Sequence, residues 1–205
     1  MKSGPVVVVL AAGRGSRYGG ARHKLAEPWG DRTVLSTTLH HAVSSNLPVV
    51  VVTTPAFADE AARQIARRDV VVMGGANGPA LGGMGDSIAA GVAARPSAAG
   101  WLMLPADMPL LLPRTIRQVA EALKRHAVAF AQVQGRRGHP VGFSGELYAD
   151  LVALSGDEGA RRILARYPAH AVDVDDVGSL QDIDTQDDHA RLHQQWRVQV
   201  GLSAA

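Results

Sequence analysis

The chain has 205 residues, 46% of them hydrophobic and 20% charged, and a formal net charge of +2, so it is long enough to bury a substantial core. Its apolar runs fall well short of the roughly 18 residues of a membrane helix, and its aromatic content of 4% does not favour base stacking, so we expect neither membrane nor nucleic-acid partners. The absence of cysteine suits a cytoplasmic protein, and the first apolar run leads directly into a glycine-rich loop, which argues against a signal peptide.

Short runs rich in β-branched residues alternate with stretches of helical period. They predict strand 5–10, helix 33–45, strand 48–53, helix 57–68, strand 70–73, helix 84–94, strand 101–104, helix 113–125 and strand 127–133. The rest of the chain predicts helices 145–154 and 157–166, a strand at 170–174 and a helix at 185–197. This rhythm is typical of a three-layer, Rossmann-like α/β protein, in which a mainly parallel, mixed sheet carries helices on both faces. Since nothing resembles a linker, we predict one domain over 1–205 with a frayed end at 198–205.

The segment VVVVLAAGRGSRYGGARHK, residues 6–24, passes from a strand into a glycine-rich, basic loop. Tyr18 stands where a dinucleotide fingerprint needs glycine, and Ala21 stands where a P-loop needs lysine, so neither motif is present. Small residues nevertheless allow backbone N–H groups to approach a phosphate, and the basic side chains offset its charge. The loop therefore predicts a polyanion site with three candidate cations: Arg14, Arg17 and Lys24.

Two acidic segments are candidates for a metal site. Asp107 follows the buried strand 101–104, at the edge of the sheet where α/β proteins bind ligands. Mg²⁺ prefers one or two carboxylates together with phosphate oxygens, so Asp107 is a natural ligand. The segment LQDIDTQDD, residues 180–188, supplies a second acid, Asp182 or Asp184. The alternative for this segment is N-capping of the last helix by Asp184 or Thr185.

The first loop resembles the L-A-A-G-x-x-x-R-x-G-x-x-K signature of nucleotidyltransferases that transfer NMP from an NTP. Gly13, Arg17 and Gly19 match it, and Lys24 rather than Arg22 is assigned as its lysine. The resemblance implies a fold of the nucleotide-diphospho-sugar transferase type, with Arg17, Lys24 and Asp107 as catalytic residues.

Two further segments resemble elements of the molybdopterin nucleotidyltransferases. P-A-D-M-P is similar to their G-D-M-P element, with Ala106 in place of glycine, and D-I-D-T-Q-D-D is similar to D-I-D-T-P-E-D. This resemblance implies Mg²⁺ on Asp107 and on Asp182, which we favour over Asp184.

Three more segments resemble the molybdenum cofactor cytidylyltransferases (MocA-like) within the MobA-like NTP transferase family. They are GMGDS at 83–87, GRRGHPVGF at 135–143 and SGDEGARRIL at 155–164. The resemblance implies that Gly83 and Ser87 bind nucleotide, and that His139, Asp157 and Arg161 bind the acceptor. Asp157 and Arg161 fall at the start of the predicted helix 157–166.

The two branches of this family differ in the first loop, where L-A-A-G accompanies cytidine and L-A-G-G accompanies guanosine. The chain has Leu10, Ala11, Ala12 and Gly13, which with Arg14 are its remaining candidate nucleotide-binding residues. The resemblance thus implies CTP and molybdopterin as substrates, with a molybdenum hydroxylase as a partner that would receive the product.

Several alternatives remain open at this point. One is a guanylyltransferase, or an NTP transferase that acts on another phosphate-bearing acceptor. A second is a non-catalytic nucleotide- or cofactor-binding chaperone for a molybdenum enzyme. A nicotinamide dehydrogenase is least favoured, because the glycine fingerprint is broken at Tyr18.

Overall fold

A computed structural model describes residues 4–75 and 78–201 of the chain. The strands in these residues are β1 (Val6–Ala11), β2 (Pro28–Trp29), β3 (Arg32–Thr33), β4 (Val49–Thr53), β5 (Val70–Val72), β6 (Gly100–Pro105), β7 (Val128–Val133), β8 (Arg136–Ser144) and β9 (Ala169–Asp173). The α-helices are α1 (Val34–Val43), α2 (Pro55–Ala62), α3 (Met84–Ala93), α4 (Pro113–Ala122), α5 (Tyr148–Val152), α6 (Arg161–Arg166) and α7 (Gln186–Gln199). Short 3-10 helices cover Lys24–Ala26, Arg67–Asp69, Gly145–Leu147 and Val177–Leu180.

Seven strands form one mixed sheet in the order β5-β4-β1-β6-β8-β7-β9. Only β8 runs antiparallel to its neighbours β6 and β7, and the other adjacent pairs are parallel. A separate antiparallel pair joins β2 to β3. The predicted fold class, a mainly parallel mixed sheet with helices, is therefore confirmed.

The core lies in two layers, one on each face of the sheet. On the α1 face, Val7 and Val9 of β1 pack with residues of α1, α2, α4 and α7. On the α3 face, Val6 and Val8 pack with residues of α3, α5 and α6. Because consecutive side chains of a strand point to opposite faces, a strand covered on both sides must be apolar throughout. This explains the unbroken run of four valines at the start of β1, Val6 to Val9.

The structure adds β8, which the sequence pattern did not predict, between β6 and β7. Pro140 and two glycines interrupt its apolar pattern, and such residues ordinarily argue against an interior strand. It is nevertheless paired along both edges, with β6 and with β7. This pairing depends on the neighbouring strands rather than on the local sequence of β8.

The predicted helix 157–166 differs from the helix that the structure shows. Helix 157–166 was placed too early: the chain turns through residues 157–160, and α6 begins at Arg161. Gly156 and Gly159 adopt positive φ angles of 67° and 58°, which a right-handed helix cannot contain. Asp157 therefore lies in a turn rather than at a helix start.

The ends of the chain and one internal gap bear on earlier predictions. The end predicted to fray spans residues 198–205. Helix α7 continues into it as far as Gln199, and residues 202–205 lie outside the described residues. Residues 76–77 of the glycine-rich segment before α3 also lie outside them. Within the part of the chain that the structure describes, no helix has the length and apolar character needed to cross a bilayer.

Candidate active site

Three loops meet at the carboxyl-terminal edge of the sheet. Strands β1 and β6 are parallel neighbours, and the N–H of Ala106 donates a hydrogen bond to the carbonyl of Leu10 at 3.1 Å. The N–H of Ile183 donates to the carbonyl of Asp107 at 3.0 Å. The basic loop after β1, the acid after β6 and the acidic segment before α7 are thereby joined through the backbone.

Lys24 lies at the centre of a cluster of ion pairs. Its Nζ lies 2.6 Å from Asp107 Oδ2 and 3.1 Å from Asp184 Oδ1. Arg17 Nη1 lies 2.5 Å from the other oxygen of Asp184. The side chains of Lys24 and Asp107 are each 13% exposed, whereas that of Arg17 is 78% exposed. The structure thus brings together the three predicted catalytic residues and one of the two alternative acids.

Burial and charge act in opposite directions on the central pair. Burial raises the pKa of Asp107 above its usual value, and the nearby Asp182 adds to this shift while Lys24 opposes it. Burial by itself would lower the pKa of Lys24, but Asp107 and Asp184 outweigh it, so that the lysine pKa is raised. Lys24 is therefore positively charged at neutral pH and compensates a carboxylate that is largely removed from water.

Asp182 and Asp184 flank the anchored Ile183 and have different surroundings. Asp184 is held by Lys24 and Arg17, whereas Asp182 is exposed and, among the described residues, makes no ion pair. Neither caps the last helix, because Thr185 occupies the N-cap and its side chain accepts a hydrogen bond from the N–H of Asp188. Thr185 is therefore the residue that caps the last helix, and of the two acids Asp184 contacts the cluster directly.

The candidate metal ligands are carboxylates, and one of their oxygen atoms has no hydrogen-bond partner. Asp107 Oδ1 is buried and has no hydrogen-bond partner. Within residues 4–75 and 78–201, no group of three or more His, Asp or Glu side chains is arranged as a complete metal site. Mg²⁺ does not require one, since it binds through one or two carboxylates and completes its shell with phosphate oxygens and water. Asp107 and the neighbouring Asp182 fit that requirement.

The loop after β1 changes from buried to exposed at Gly13. Ala11 packs in the core of the α1 face and Ala12 in that of the α3 face, at 1% and 5% exposure. Leu10 is partly buried on the α3 face, and Gly13 and Arg14 are exposed. A side chain at Gly13 would meet nothing within 4 Å, so its backbone is open to a ligand.

His23 supports this loop, a role that sequence reasoning missed. Its Nδ1 accepts a hydrogen bond from the N–H of Leu25 at 3.2 Å, so its Nε2 carries the proton and donates to the Gly13 carbonyl at 3.0 Å. Its ring also packs on Phe57, with centroids 5.0 Å apart. The sequence offered one signal, the position of His23 directly before Lys24, but it does not reveal the contact with Gly13.

A second junction joins the segment before α3 to the turn before α6. The Oδ2 atom of Asp86 accepts from the N–H groups of Gly83 and Gly156, at 2.8 and 2.9 Å. A Cβ at Gly83 would overlap Asp157 Oδ1 and the Gly156 backbone, so glycine permits this close approach. The hydroxyl of Ser87 donates to the Gly83 carbonyl at 3.2 Å. Gly83, Ser87 and Asp157 therefore lie together, with Asp86 as the bridge.

We expect Asp86→Ala to lower the free energy of unfolding by about 1–2 kcal/mol, because two backbone N–H groups lose their acceptor and α3 loses its cap. Chemical denaturation measures the difference. Asp187→Ala is the matched control, since Asp187 is an exposed acid in the first turn of α7 for which the structure gives no side-chain hydrogen bond. Equal losses for both variants would show that the bridge contributes nothing beyond a general charge effect.

His139 lies near the start of β8 and is partly exposed, but its Nδ1 atom is buried and has no hydrogen-bond partner. The peptide bond between His139 and Pro140 is cis. Burial lowers the pKa of His139, and this effect exceeds the opposing influence of Asp107 and Asp182. The imidazole is thus neutral and is electrostatically coupled to both candidate metal ligands.

The other two predicted acceptor residues are placed differently. Asp157 lines a cavity of about 440 Å³ together with Asp150, Arg162 and Tyr167. Arg161 is exposed at the start of α6. Among the described residues, no side-chain hydrogen bond or ion pair joins Asp157 or Arg161 to His139 or to the Lys24 cluster. The structure brings His139 to the cluster and leaves the turn before α6 as a separate neighbourhood.

The fold and the site together define a nucleotidyltransferase. A basic, glycine-rich loop follows one strand of a mainly parallel sheet, and a buried carboxylate follows the neighbouring strand. Residues 7–172 match the MobA-like NTP transferase domain, and the chain belongs to this family. The predictions of an enzyme of the nucleotidyltransferase class and of this family are confirmed.

Individual relatives cover most of the chain. It is 30% identical over 203 residues to the purine catabolism protein PucB of Bacillus subtilis strain 168, covering 89% of this chain and 92% of PucB. It superposes on Rv0371c from Mycobacterium tuberculosis H37Rv with a TM-score of 0.78 and 28% identity, covering 93% of this chain and 98% of Rv0371c. A structure of Rv0371c in complex with manganese gives a TM-score of 0.75 at 28% identity, with 94% and 98% covered.

Proposed function

We propose that the enzyme transfers CMP from CTP to the terminal phosphate of molybdopterin and releases pyrophosphate. The observation that carries the transfer reaction is the Lys24 cluster, which gathers two cations and a buried carboxylate at the carboxyl-terminal edge of the sheet. The motif resemblances support the substrates: L-A-A-G in the first loop favours CTP, and GRRGHPVGF favours molybdopterin as acceptor.

In this reaction an oxygen of the acceptor phosphate forms a bond to the α-phosphorus of CTP. The bond from that phosphorus to the bridging oxygen of the β-phosphate breaks, and the electron pair leaves with pyrophosphate. The attacking phosphate is already ionised at neutral pH, so no side chain need remove a proton. The protein supplies position and charge compensation between two anions.

The basic side chains of the first loop would hold the triphosphate. Arg17 and Lys24 exchange their contacts with Asp184 for contacts with phosphate oxygens, and both present N–H donors suited to phosphate. The exposed residues Gly13 and Arg14 of the same loop would add a backbone N–H and a further cation. His23 keeps the Gly13 carbonyl turned toward itself, and this hydrogen bond fixes the path of the loop.

Asp107 and Asp182 would hold Mg²⁺. The unpartnered Oδ1 of Asp107 and the free carboxylate of Asp182 fit a hard divalent cation, and the manganese complex of Rv0371c accords with a divalent ion. When bound, the ion supplies charge compensation for the phosphate oxygens around the reacting phosphorus. Asp184 then serves as the resting partner of Arg17 and Lys24.

His139 is the candidate for contact with the acceptor, because its unpartnered Nδ1 lies at the same edge as Asp107. Gly83 and Ser87 would support nucleotide binding, and Asp157 in the turn before α6 and Arg161 at the start of α6 would bind the acceptor. We place the reaction in the cytoplasm, and the product would pass to a molybdenum hydroxylase.

Pyrophosphate release from each of the four NTPs, with and without molybdopterin, tests the function. We expect release with CTP when molybdopterin is present. Preference for GTP would indicate a guanylyltransferase, and turnover only with a different phosphate acceptor would change the substrate. Absence of pyrophosphate with every NTP and acceptor would favour a cofactor-binding chaperone.

The nucleotide preference should depend on Ala12. Its methyl group packs in the core of the α3 face and fixes the path of the backbone that leads to Gly13. We expect Ala12→Gly to lower the CTP-to-GTP ratio of kcat/KM about tenfold, in the range that a single methyl group contributes to discrimination. Ala129→Gly is the matched control, because Ala129 is a buried alanine of β7 outside the nucleotide loop. An equal change in both variants would contradict selection by Ala12.

A further inference from the structure

Strand β8 carries an arginine at the same edge of the sheet as the Lys24 cluster. Arg137 lies at the start of β8, and His139 follows two residues later. Because β8 runs antiparallel to β6, its first residues lie at the edge where β6 ends and Asp107 follows. Arg137 also influences the charge state of His139, as do Asp107 and Asp182. These four residues belong to one electrostatic neighbourhood.

The guanidinium of Arg137 is held in place without an acidic partner. Its Cζ lies 4.5 Å from the centre of the Phe130 ring, which fixes the side chain over the α3 face. Arg137 is exposed to solvent, as its neighbour Arg136 is, and the part of its side chain that is covered lowers the pKa of its guanidinium. Among residues 4–75 and 78–201, no carboxylate forms an ion pair with it. A guanidinium that is positioned by a ring, open to solvent and without an acidic partner is suited to bind an anion.

The order of strands separates this cation from the other two. Lys24 and Arg17 belong to the loop after β1, Asp107 follows β6, and Arg137 begins β8, so the central acid lies between two groups of cations. In a displacement at phosphorus, the attacking and leaving oxygens lie roughly in line on opposite sides of the phosphorus atom. A triphosphate held on the β1 side would therefore be attacked from the β8 side.

We propose that Arg137, positioned by Phe130, binds the phosphate monoester of the acceptor and presents its oxygen to the α-phosphorus. This assignment rests on the proposed transfer reaction and adds a binding residue for the acceptor. The planar guanidinium donates two parallel N–H hydrogen bonds to the phosphate. They orient the phosphate and also compensate its negative charge.

The test compares Arg137→Gln with Arg136→Gln in the full chain. Arg136 is the adjacent exposed arginine of the same strand, and consecutive residues of a strand point to opposite faces. The other face of β8 is covered near Gly138, where a Cβ would lie 2.5 Å from the carbonyl of Ser179. Arg136→Gln removes the same charge from the same turn without touching the Phe130 side.

We expect Arg137→Gln to raise the KM for molybdopterin about 10- to 100-fold, the loss of a charge-assisted pair of hydrogen bonds, while the KM for CTP changes less than about twofold. Arg136→Gln should leave both KM values near those of the wild type. Arg137→Lys should restore part of the loss, because lysine keeps the charge but not the paired geometry. Equal KM values for molybdopterin in the two glutamine variants would overturn the assignment.

A binding measurement separates this proposal from the proposed function. Phenyl phosphate, a phosphate monoester attached to a ring, is titrated by calorimetry into the CTP-bound wild type and both glutamine variants. We expect binding to the wild type and to Arg136→Gln, and loss of binding in Arg137→Gln. If molybdopterin is not a substrate, this binding pattern still supports a phosphate subsite at Arg137, and only the proposal that molybdopterin is the acceptor is overturned. No binding to the wild type, or equal binding to both variants, would overturn the subsite.

Discussion

Asp107→Asn should reduce pyrophosphate release by about 100- to 1,000-fold, the range found when one preorganised charge interaction is removed from an active site. Asparagine keeps the shape of the side chain but cannot supply the negative charge that a divalent ion and Lys24 both require. Lys24 retains Asp184 as a partner at 3.1 Å, so the protein should remain folded. Rates measured over a titration of Mg²⁺, with circular dichroism as the folding check, give the result.

The two neighbouring acids serve as controls for this prediction. Asp182→Asn should weaken the binding of Mn²⁺, measured by electron paramagnetic resonance, because Asp182 is free of cations. Asp184→Asn should leave Mn²⁺ binding closer to that of the wild type, since its carboxylate is held by Arg17 and Lys24. Turnover of Asp107→Asn near the wild-type rate would contradict the role of Asp107. Weaker Mn²⁺ binding by Asp184→Asn than by Asp182→Asn would make Asp184 the second ligand.

The central parallel strands β1 and β4 could be predicted because each is apolar on both faces. In β1 and β4, every residue from Val6 to Val9 and from Val49 to Thr53 is buried, and no other local structure accounts for such short β-branched runs between helical periods. Strand β8 could not be predicted in this way. Its pairing with β6 and β7 joins segments that are distant in the chain, and Pro140 masks its local pattern.

The central residues of the site could also be predicted, because Arg17, Lys24 and Asp107 each follow a recognisable strand. The choice between Asp182 and Asp184 could not be made from the residues, since it depends on how the Ile183 N–H meets the Asp107 carbonyl. The roles of His23 and Arg137 could not be predicted, although His23 directly precedes Lys24 and Arg137 lies in the segment GRRGHPVGF. Their positions depend on contacts with Gly13 and Phe130, which only the folded chain brings near them.

The ion pairs of Lys24 have a consequence for the ligand-free protein. Asp107 is buried just after the end of β6, and without a cation its charge would be costly. Lys24 supplies that cation at 2.6 Å and reaches Asp184 as well. In the proposed reaction a divalent ion would take over part of this compensation, which would allow Lys24 to turn toward the triphosphate. The same side chain would thus stabilise the free protein and bind substrate.

Lys24→Met should therefore reduce both stability and activity. Removal of the lysine leaves Asp107 buried without its partner, so we expect a loss of about 3 kcal/mol in the free energy of unfolding. Because triphosphate binding loses a partly buried cation, the KM for CTP should rise about 10- to 100-fold. Arg22→Met is the matched control: Arg22 is exposed and, within the described residues, forms no ion pair, so both quantities should stay near those of the wild type.

A double-mutant cycle distinguishes the ion pair from a general loss of packing. In Lys24→Met combined with Asp107→Asn, the unpaired charge is absent, so the double variant should recover about 1–3 kcal/mol relative to the sum of the single changes. Urea denaturation of the four proteins at pH 7 gives this coupling free energy. Additive losses would show that Lys24 does not compensate Asp107. A rise in the KM for CTP in Arg22→Met, without one in Lys24→Met, would move the triphosphate contact from Lys24 to Arg22.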